Sequence, residues 1–249
     1  MRVRSALWIT VVALVLAGCR SAVPVSVHAA AETSPSPSAV PSVSAETEAP
    51  RPVQVVRTSQ DMFLVYAEPA TGAPEQLAST NDWFQPLALP VLDRRRVDGE
   101  RWFRVRLPIR PNGSTGWLRA DDVRVRALHE RIVVDLSEHV LRRIRDGEVV
   151  QRFRIGIGTP TYPTTPGRFF VWARLRFDPP GVYGVGALGL SGFSDVITDW
   201  AGGGRMAIHG TGDPTNRGRD VSHGCVRVYD PQMARLTDVA LGTPVWIRP

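Results

Sequence analysis

The chain has 249 residues, 30 of them basic and 24 acidic, and every Lys/Arg position is an arginine. The formal charge of +6 is spread along the chain; a nucleic-acid surface would be clustered. Two cysteines exclude a disulfide-stapled scaffold and a four-thiolate zinc site. The 43% hydrophobic content, with 22 glycines and 21 prolines, favours a turn-rich β protein over a helical bundle or a disordered chain.

Residues 1–18 are predicted to be an export signal. Arg2 and Arg4 form a positive start, and residues 6–17 form an apolar run broken by Thr10. A membrane-spanning helix needs about 20 apolar residues, so the run is too short to be an anchor. It ends in Leu16-Ala17-Gly18-Cys19, which resembles the lipobox of bacterial lipoproteins. The resemblance implies a lipidated Cys19 at the mature N-terminus, a chain exported to the cell envelope, and contact with the membrane through that lipid. Cys225 would then be the remaining thiol. Residues 19–52 follow as a tether rich in Pro, Ser and Ala, without an aromatic residue. Such a segment buries too little apolar surface to offset its ordering entropy.

Residues 53–126 are predicted to be a small β module. Short apolar or alternating runs lie at residues 53–56, 62–66, 102–107, 116–118 and 123–125, separated by Pro, Gly, Asn and Asp clusters. Arg94-Arg95-Arg96 is expected in a solvated loop. The stretch Trp102-Phe103-Arg104-Val105, followed by Gly116-Trp117-Leu118, resembles the end of bacterial SH3-like domains. Such modules bind wall polymers, position a neighbouring domain or act as spacers.

Residues 127–249 hold the candidate chemistry. Two β-rich runs flank Asp146-Gly147, a strong hairpin signal. Thr164-Thr165-Pro166-Gly167 is a turn into the strand at Phe169. Residues 179–204 are glycine-rich and predicted to be mainly loop. One helix is expected after Asp230 as N-cap and Pro231 at the first position, with Met233, Leu236 and Ala240 on one face before Gly242. Pro244-Val245-Trp246-Ile247 closes the chain as a strand. The join near Ala127 implies that residues 127–249 fold alone.

Within that background stand Ile208-His209-Gly210-Thr211 and Ser222-His223-Gly224-Cys225-Val226-Arg227. A free thiol is mostly protonated at neutral pH, and an imidazole nearby can take the proton and later return it to a leaving amine. A tight turn at Gly224 would leave backbone N–H groups to face an oxyanion. Other readings remain. Cys225 can be an inert buried side chain, the two histidines can be structural, or His209, His223 and Cys225 can bind zinc, although their spacing fits no common zinc site.

His209-Gly210-Thr211 followed by Ser222-His223-Gly224-Cys225-Val226-Arg227 resembles the signature of the L,D-transpeptidase, or YkuD, catalytic domain. The resemblance extends over residues 127–249. It implies a mostly β fold: an SH3-like barrel followed by a YkuD-like β-sandwich with one or two short helices. It also implies cross-linking of peptidoglycan stem peptides through a thioester. Cys225 would be the nucleophile and His209 the base, oriented by Ser222 or the Gly210 carbonyl. The N–H groups of His223, Gly224 and Cys225 would form the oxyanion hole, and Arg227 would contact substrate. A thiol and an imidazole suffice for acyl transfer, so no metal or organic cofactor is expected. Rival readings are an L,D-carboxypeptidase using water, an enzyme attaching proteins to peptidoglycan, and a non-catalytic wall-binding lipoprotein. Loss of Cys225 or His209 would mark the last, and both are present.

Overall fold

The structure, a computed structural model, describes residues 52–199 and 202–249. The predicted signal, Cys19 and nearly all of the tether lie outside the described residues.

Seven strands form the first part: β1 (Val53–Arg57), β2 (Met62–Val65), β3 (Glu75–Ala78), β4 (Leu89–Val97), β5 (Glu100–Arg106), β6 (Thr115–Arg119) and β7 (Arg124–Leu128). Five build an antiparallel sheet in the order β6-β5-β4-β1-β7, and β2 pairs with β3. β7 pairs with β1 out to Val53 opposite Leu128, so the predicted join near Ala127 lies inside a strand. The arginine triplet is strand, not loop. Asp98 and Gly99 both have positive φ (51° and 83°), the signature of a tight hairpin turn, and they fold β4 back on β5. Arg94 and Arg95 lie over the rings of Phe103 and Trp117 at 5.6 and 4.6 Å, so their stems cover apolar surface while they stay exposed.

The second part comprises β8 (Glu130–Asp135), β9 (Val140–Arg145), β10 (Glu148–Arg154), β11 (Ile157–Gly158), β12 (Gly167–Gly181), β13 (Gly184–Phe193), β14 (Arg205–Thr211), β15 (Asp220–Ser222), β16 (Val226–Tyr229), α1 (Asp230–Met233) and β17 (Pro244–Arg248). Eight strands are linked in the order β10-β9-β8-β17-β12-β13-β14-β16, with β12 pairing to β17 through Gly167, Arg168, Phe169 and Phe170 and to β13 from Val171 onward. Neighbouring strands lie about 4.8 Å apart, so a flat sheet of this order would hold β10 and β16 far from each other. Gly156, two residues beyond β10, nevertheless exchanges both backbone hydrogen bonds with Arg227 of β16, at 2.9 and 2.8 Å. The sheet therefore curls until its two edges meet. All eight strands line one apolar core, from Ile132, Leu141 and Phe153 to Leu188, Ile208 and Val226.

Two expectations are corrected. Much of residues 179–204 is strand: β13 is a ten-residue central strand. Its glycines reflect crowding. An added Cβ at Gly186 would meet the Leu175 carbonyl oxygen at 2.6 Å, and one at Gly192 would meet the Phe169 ring at 2.2 Å. The helix is also shorter than predicted. Tyr229 is its N-cap, α1 ends at Met233, and a 3-10 turn continues through Leu236. Met233 and Leu236 are buried as expected.

Residues 169–173 of β12 are buried on both faces, which explains the unbroken run Phe169-Phe170-Val171-Trp172. Phe169 and Val171 enter the core of the curled sheet. Phe170 and Trp172 enter a second core with Val56, Phe63, Leu89 and Leu118 of the first part. Polar contacts reinforce this seam. Asn81 Nδ2 donates to the Trp172 carbonyl at 2.8 Å, and Asn112 Nδ2 donates to the Phe193 carbonyl at 2.8 Å while its Oδ1 accepts from Phe193 N–H at 2.9 Å. Arg110 donates to the carbonyls of Ser194, Ile197 and Gly203. The expectation that residues 127–249 fold alone does not fit this shared core. Exposing Phe170 and Trp172 costs roughly 1.5–3 kcal/mol for each large apolar side chain, a sizeable fraction of the stability of a domain. A fragment of residues 127–249 is expected to melt well below residues 52–249, or to be insoluble. Equal melting temperatures by circular dichroism would contradict the shared core.

Candidate active site

Strands β14 and β16 run parallel, with Ile208 opposite Val226 and His209 opposite Arg227. Ile208 and Val226 point into the core. Alternation then sends His209 and Arg227 to the other face, and Cys225, immediately before β16, falls on that face beside Ala207. A backbone hydrogen bond from Ala207 reaches the Cys225 thiol, which is consistent with this register. The two motifs, sixteen residues apart in the chain, are thus brought together by one pair of adjacent strands.

The imidazole is fixed. His209 is 5% exposed, and its Nδ1 lies 2.8 Å from the Gly210 carbonyl oxygen. A carbonyl only accepts, so Nδ1 carries the proton and Nε2 is left as the basic nitrogen. Burial pushes the His209 pKa below the usual imidazole value; the Gly210 bond and Asp230 oppose this, and Arg227 adds to it. Burial pushes the Cys225 thiol upward, against smaller lowering effects from the Ala207 bond and Arg227. Both shifts favour the uncharged forms, because a low-dielectric setting penalises each ion. At neutral pH both directions favour a thiol and a neutral imidazole.

The loop before Cys225 is built on Ser222. This buried hydroxyl donates to the Cys225 carbonyl at 2.6 Å and accepts from Gly224 N–H at 3.1 Å, while Gly224 turns at φ 110°. Ser222 therefore holds the turn, and Gly210 is the residue that orients His209. The Gly224 N–H, predicted to face an oxyanion, is donated to Ser222. β11 pairs in parallel with β15 beneath the loop. His223 is exposed, its ring 4.8 Å from that of Tyr162.

Arg227 donates from Nη1 to Asn216 Oδ1 at 2.8 Å, whereas its Nε is buried with no hydrogen-bond partner. Two residues were not singled out in the sequence, and a third, Asp230, was read as a helix cap. Asn216 is buried and braces Arg227. Tyr183, at the turn between β12 and β13, sets its ring edge-on to His209, with centroids 5.1 Å apart. Asp230 accepts from Val185 N–H at 3.0 Å and serves as no helix cap. The turn Gly181-Val182-Tyr183-Gly184 was a visible signal for Tyr183, but its distance in sequence from either motif hid the contact. Among the described residues, no group of three or more His, Cys, Asp or Glu is placed to hold a metal ion.

Comparison with known proteins bears on this cluster. Residues 129–247 match the family described as the L,D-transpeptidase catalytic domain, YkuD. Two curated relatives carry the name L,D-transpeptidase YkuD. The one from Bacillus licheniformis is 30% identical over 120 residues, which cover 48% of this chain and 66% of the relative. The one from Bacillus subtilis is 27% identical over 108 residues, covering 43% and 58%. In neither does the match reach two thirds of the relative's length. Among solved structures, the ertapenem-acylated catalytic domain of the Enterococcus faecium L,D-transpeptidase is 26% identical over 48% of this chain and 97% of that one, with a TM-score of 0.37. An L,D-transpeptidase from Mycobacterium tuberculosis is 15% identical over 60% of this chain and 90% of that one, with a TM-score of 0.41. Every residue of the cluster around His209 and Cys225 lies within the stretch that matches the L,D-transpeptidase catalytic domain.

Proposed function

We propose that this protein is a cysteine acyltransferase that cross-links peptidoglycan stem peptides. The reading rests on one observation above all: a buried imidazole, fixed through Nδ1, on the strand beside a partly buried thiol. Cys225 Sγ attacks the donor carbonyl as its proton passes to His209 Nε2. The carbonyl oxygen gains the negative charge, and Cys225 N–H is the proposed donor toward it. Collapse of the adduct expels the leaving amine, which takes the proton from Nε2, and leaves a thioester. An acceptor amine then gives its proton to Nε2, attacks the thioester and releases the thiol, which regains that proton. Charge develops only during each transfer, when the Ala207 bond and Arg227 favour the thiolate and where fixed dipoles stabilise most. The unpartnered Arg227 Nε is the proposed contact for an acceptor group on the stem peptide, since an unpaired buried donor costs about 1–3 kcal/mol. The first module is proposed to be SH3-like and to brace this site.

A carbapenem offers a strained acyl group to such a thiol. Intact-mass analysis should show one adduct on the protein and none on Cys225→Ala. His209→Ala should slow acylation by roughly 10²–10⁴, while His223→Ala, altering an exposed ring, should do far less. The base must be neutral, and the His209 pKa is depressed. The rate should therefore hold on acidification and fall only below the usual imidazole value of about 6.5. An adduct on Cys225→Ala, or an acid limb above that value, would overturn the roles. With a disaccharide-tetrapeptide as substrate, dimeric products mark an amine acceptor and trimmed tripeptides mark water.

The proposal includes export and lipid attachment at Cys19. Cys19→Ser should move the protein from the membrane fraction to the soluble one. A soluble native protein without acyl groups on its N-terminus would contradict the anchor.

A further inference from the structure

Asp230 opens α1, one residue past the N-cap Tyr229, so it is not the helix cap. It turns instead toward two segments that meet at the site. Oδ1 accepts from Val185 N–H, at the root of the β12–β13 hairpin. The same oxygen lies against Gly184 and Gly210. A Cβ added at either would fall 2.0 or 2.1 Å from it, and one added at Gly212 would lie 3.9 Å from Oδ2. Gly210 sits in a strand and has no left-handed φ, so backbone conformation does not require glycine there. The carboxylate does. Gly210 also supplies the carbonyl that holds His209 Nδ1, and the hairpin root leads to Tyr183, whose ring stands against His209.

We propose that Asp230 is a positioning residue: its carboxylate, lodged among Gly184, Gly210 and Gly212, pins the hairpin root and the His209–Gly210 peptide in one arrangement, and so holds Tyr183 over the imidazole. This deepens the acyl-transfer reading above and depends on it only for the kinetic part. Four groups face the imidazole: Cys225 and Arg227 from the β16 side, Asp230 from α1, and Tyr183 from the hairpin. Arg227 favours the neutral ring, and Asp230 opposes it.

Two variants separate positioning from charge. Asp230→Ala removes the acceptor. Asp230→Asn keeps a carbonyl oxygen of the same shape and removes the charge. Each is compared with the unaltered protein by hydrogen exchange at the Val185 amide, by carbapenem acylation rate and by the pH dependence of that rate. In Asp230→Ala the Val185 amide should exchange faster, because opening then breaks one anchoring bond fewer. Acylation should slow by about 10-fold to 100-fold, the scale of a misplaced catalytic group. Asp230→Asn should restore the slow exchange and most of the rate, with its acid limb moved to lower pH. If Asp230→Ala keeps the original exchange, rate and pH profile, the inference is wrong. It is equally wrong if both variants are slow with an unmoved acid limb, which would mark a purely structural residue. Should Asp230→Ala fail to fold, Asp230→Asn still decides: slow Val185 exchange and most of the rate kept, with the limb at lower pH, support the inference, and slow acylation with an unmoved limb overturns it. If the unaltered protein forms no adduct while Val185 exchange responds as described, the acyl-transfer reading fails and the clamp stands.

Discussion

Desolvation at the seam of β14 and β16 governs the chemistry available to this protein. The buried imidazole and the partly buried thiol on the face away from the core are both pushed toward their neutral forms. In a solvated cleft the same two groups could exchange a proton at rest and form an ion pair. In the proposed acyl transfer, proton transfer is instead coupled to attack on a carbonyl. Arg227 sits where it opposes the imidazolium and supports the thiolate, so one cation tunes both partners in the direction of nucleophilic attack.

The topology makes that seam possible. β14 and β16 are parallel neighbours at one edge of an eight-stranded sheet, and a parallel connection needs a long crossover. That crossover, residues 212–225, carries Asn216, β15 and the Ser222 turn, so the linking segment itself builds the floor and wall of the site. Curling the sheet brings Gly156 to Arg227. Gly156 has no side chain because an added Cβ would lie 2.8 Å from the Asn216 carbonyl oxygen. The closure of the sheet and the bracing of Arg227 are thus one packing arrangement. β12, shared between two cores, carries it to the first module.

The grouping of the candidate residues was legible in the sequence because each motif is local. Ser222, Gly224 and Cys225 form one turn, and His209 needs only its neighbour Gly210 to be oriented. The hairpin at Asp146-Gly147 and the strands of alternating or β-branched residues were legible for the same reason. What escaped depended on distant partners. Gly186 and Gly192 look like loop residues until Leu175 and Phe169 are seen against them. Asp230 looks like a helix cap, since nothing nearby in the chain announces Val185. Phe170 and Trp172 disclose a second buried face only once a separate module covers them. The Asp98-Gly99 turn was within reach of sequence reasoning, but the run of arginines beside it masked a strand whose exposed face tolerates charge.

The central claim is that the resting site holds a neutral thiol beside a neutral imidazole. The most direct measurement is a titration of thiolate ultraviolet absorbance in the Cys19→Ser protein, where Cys225 is the sole thiol. The account predicts no thiolate band at neutral pH and a band that rises only at pH above the ordinary cysteine range. A thiolate band already present at neutral pH, and lost in His209→Ala, would show a preformed ion pair and contradict it.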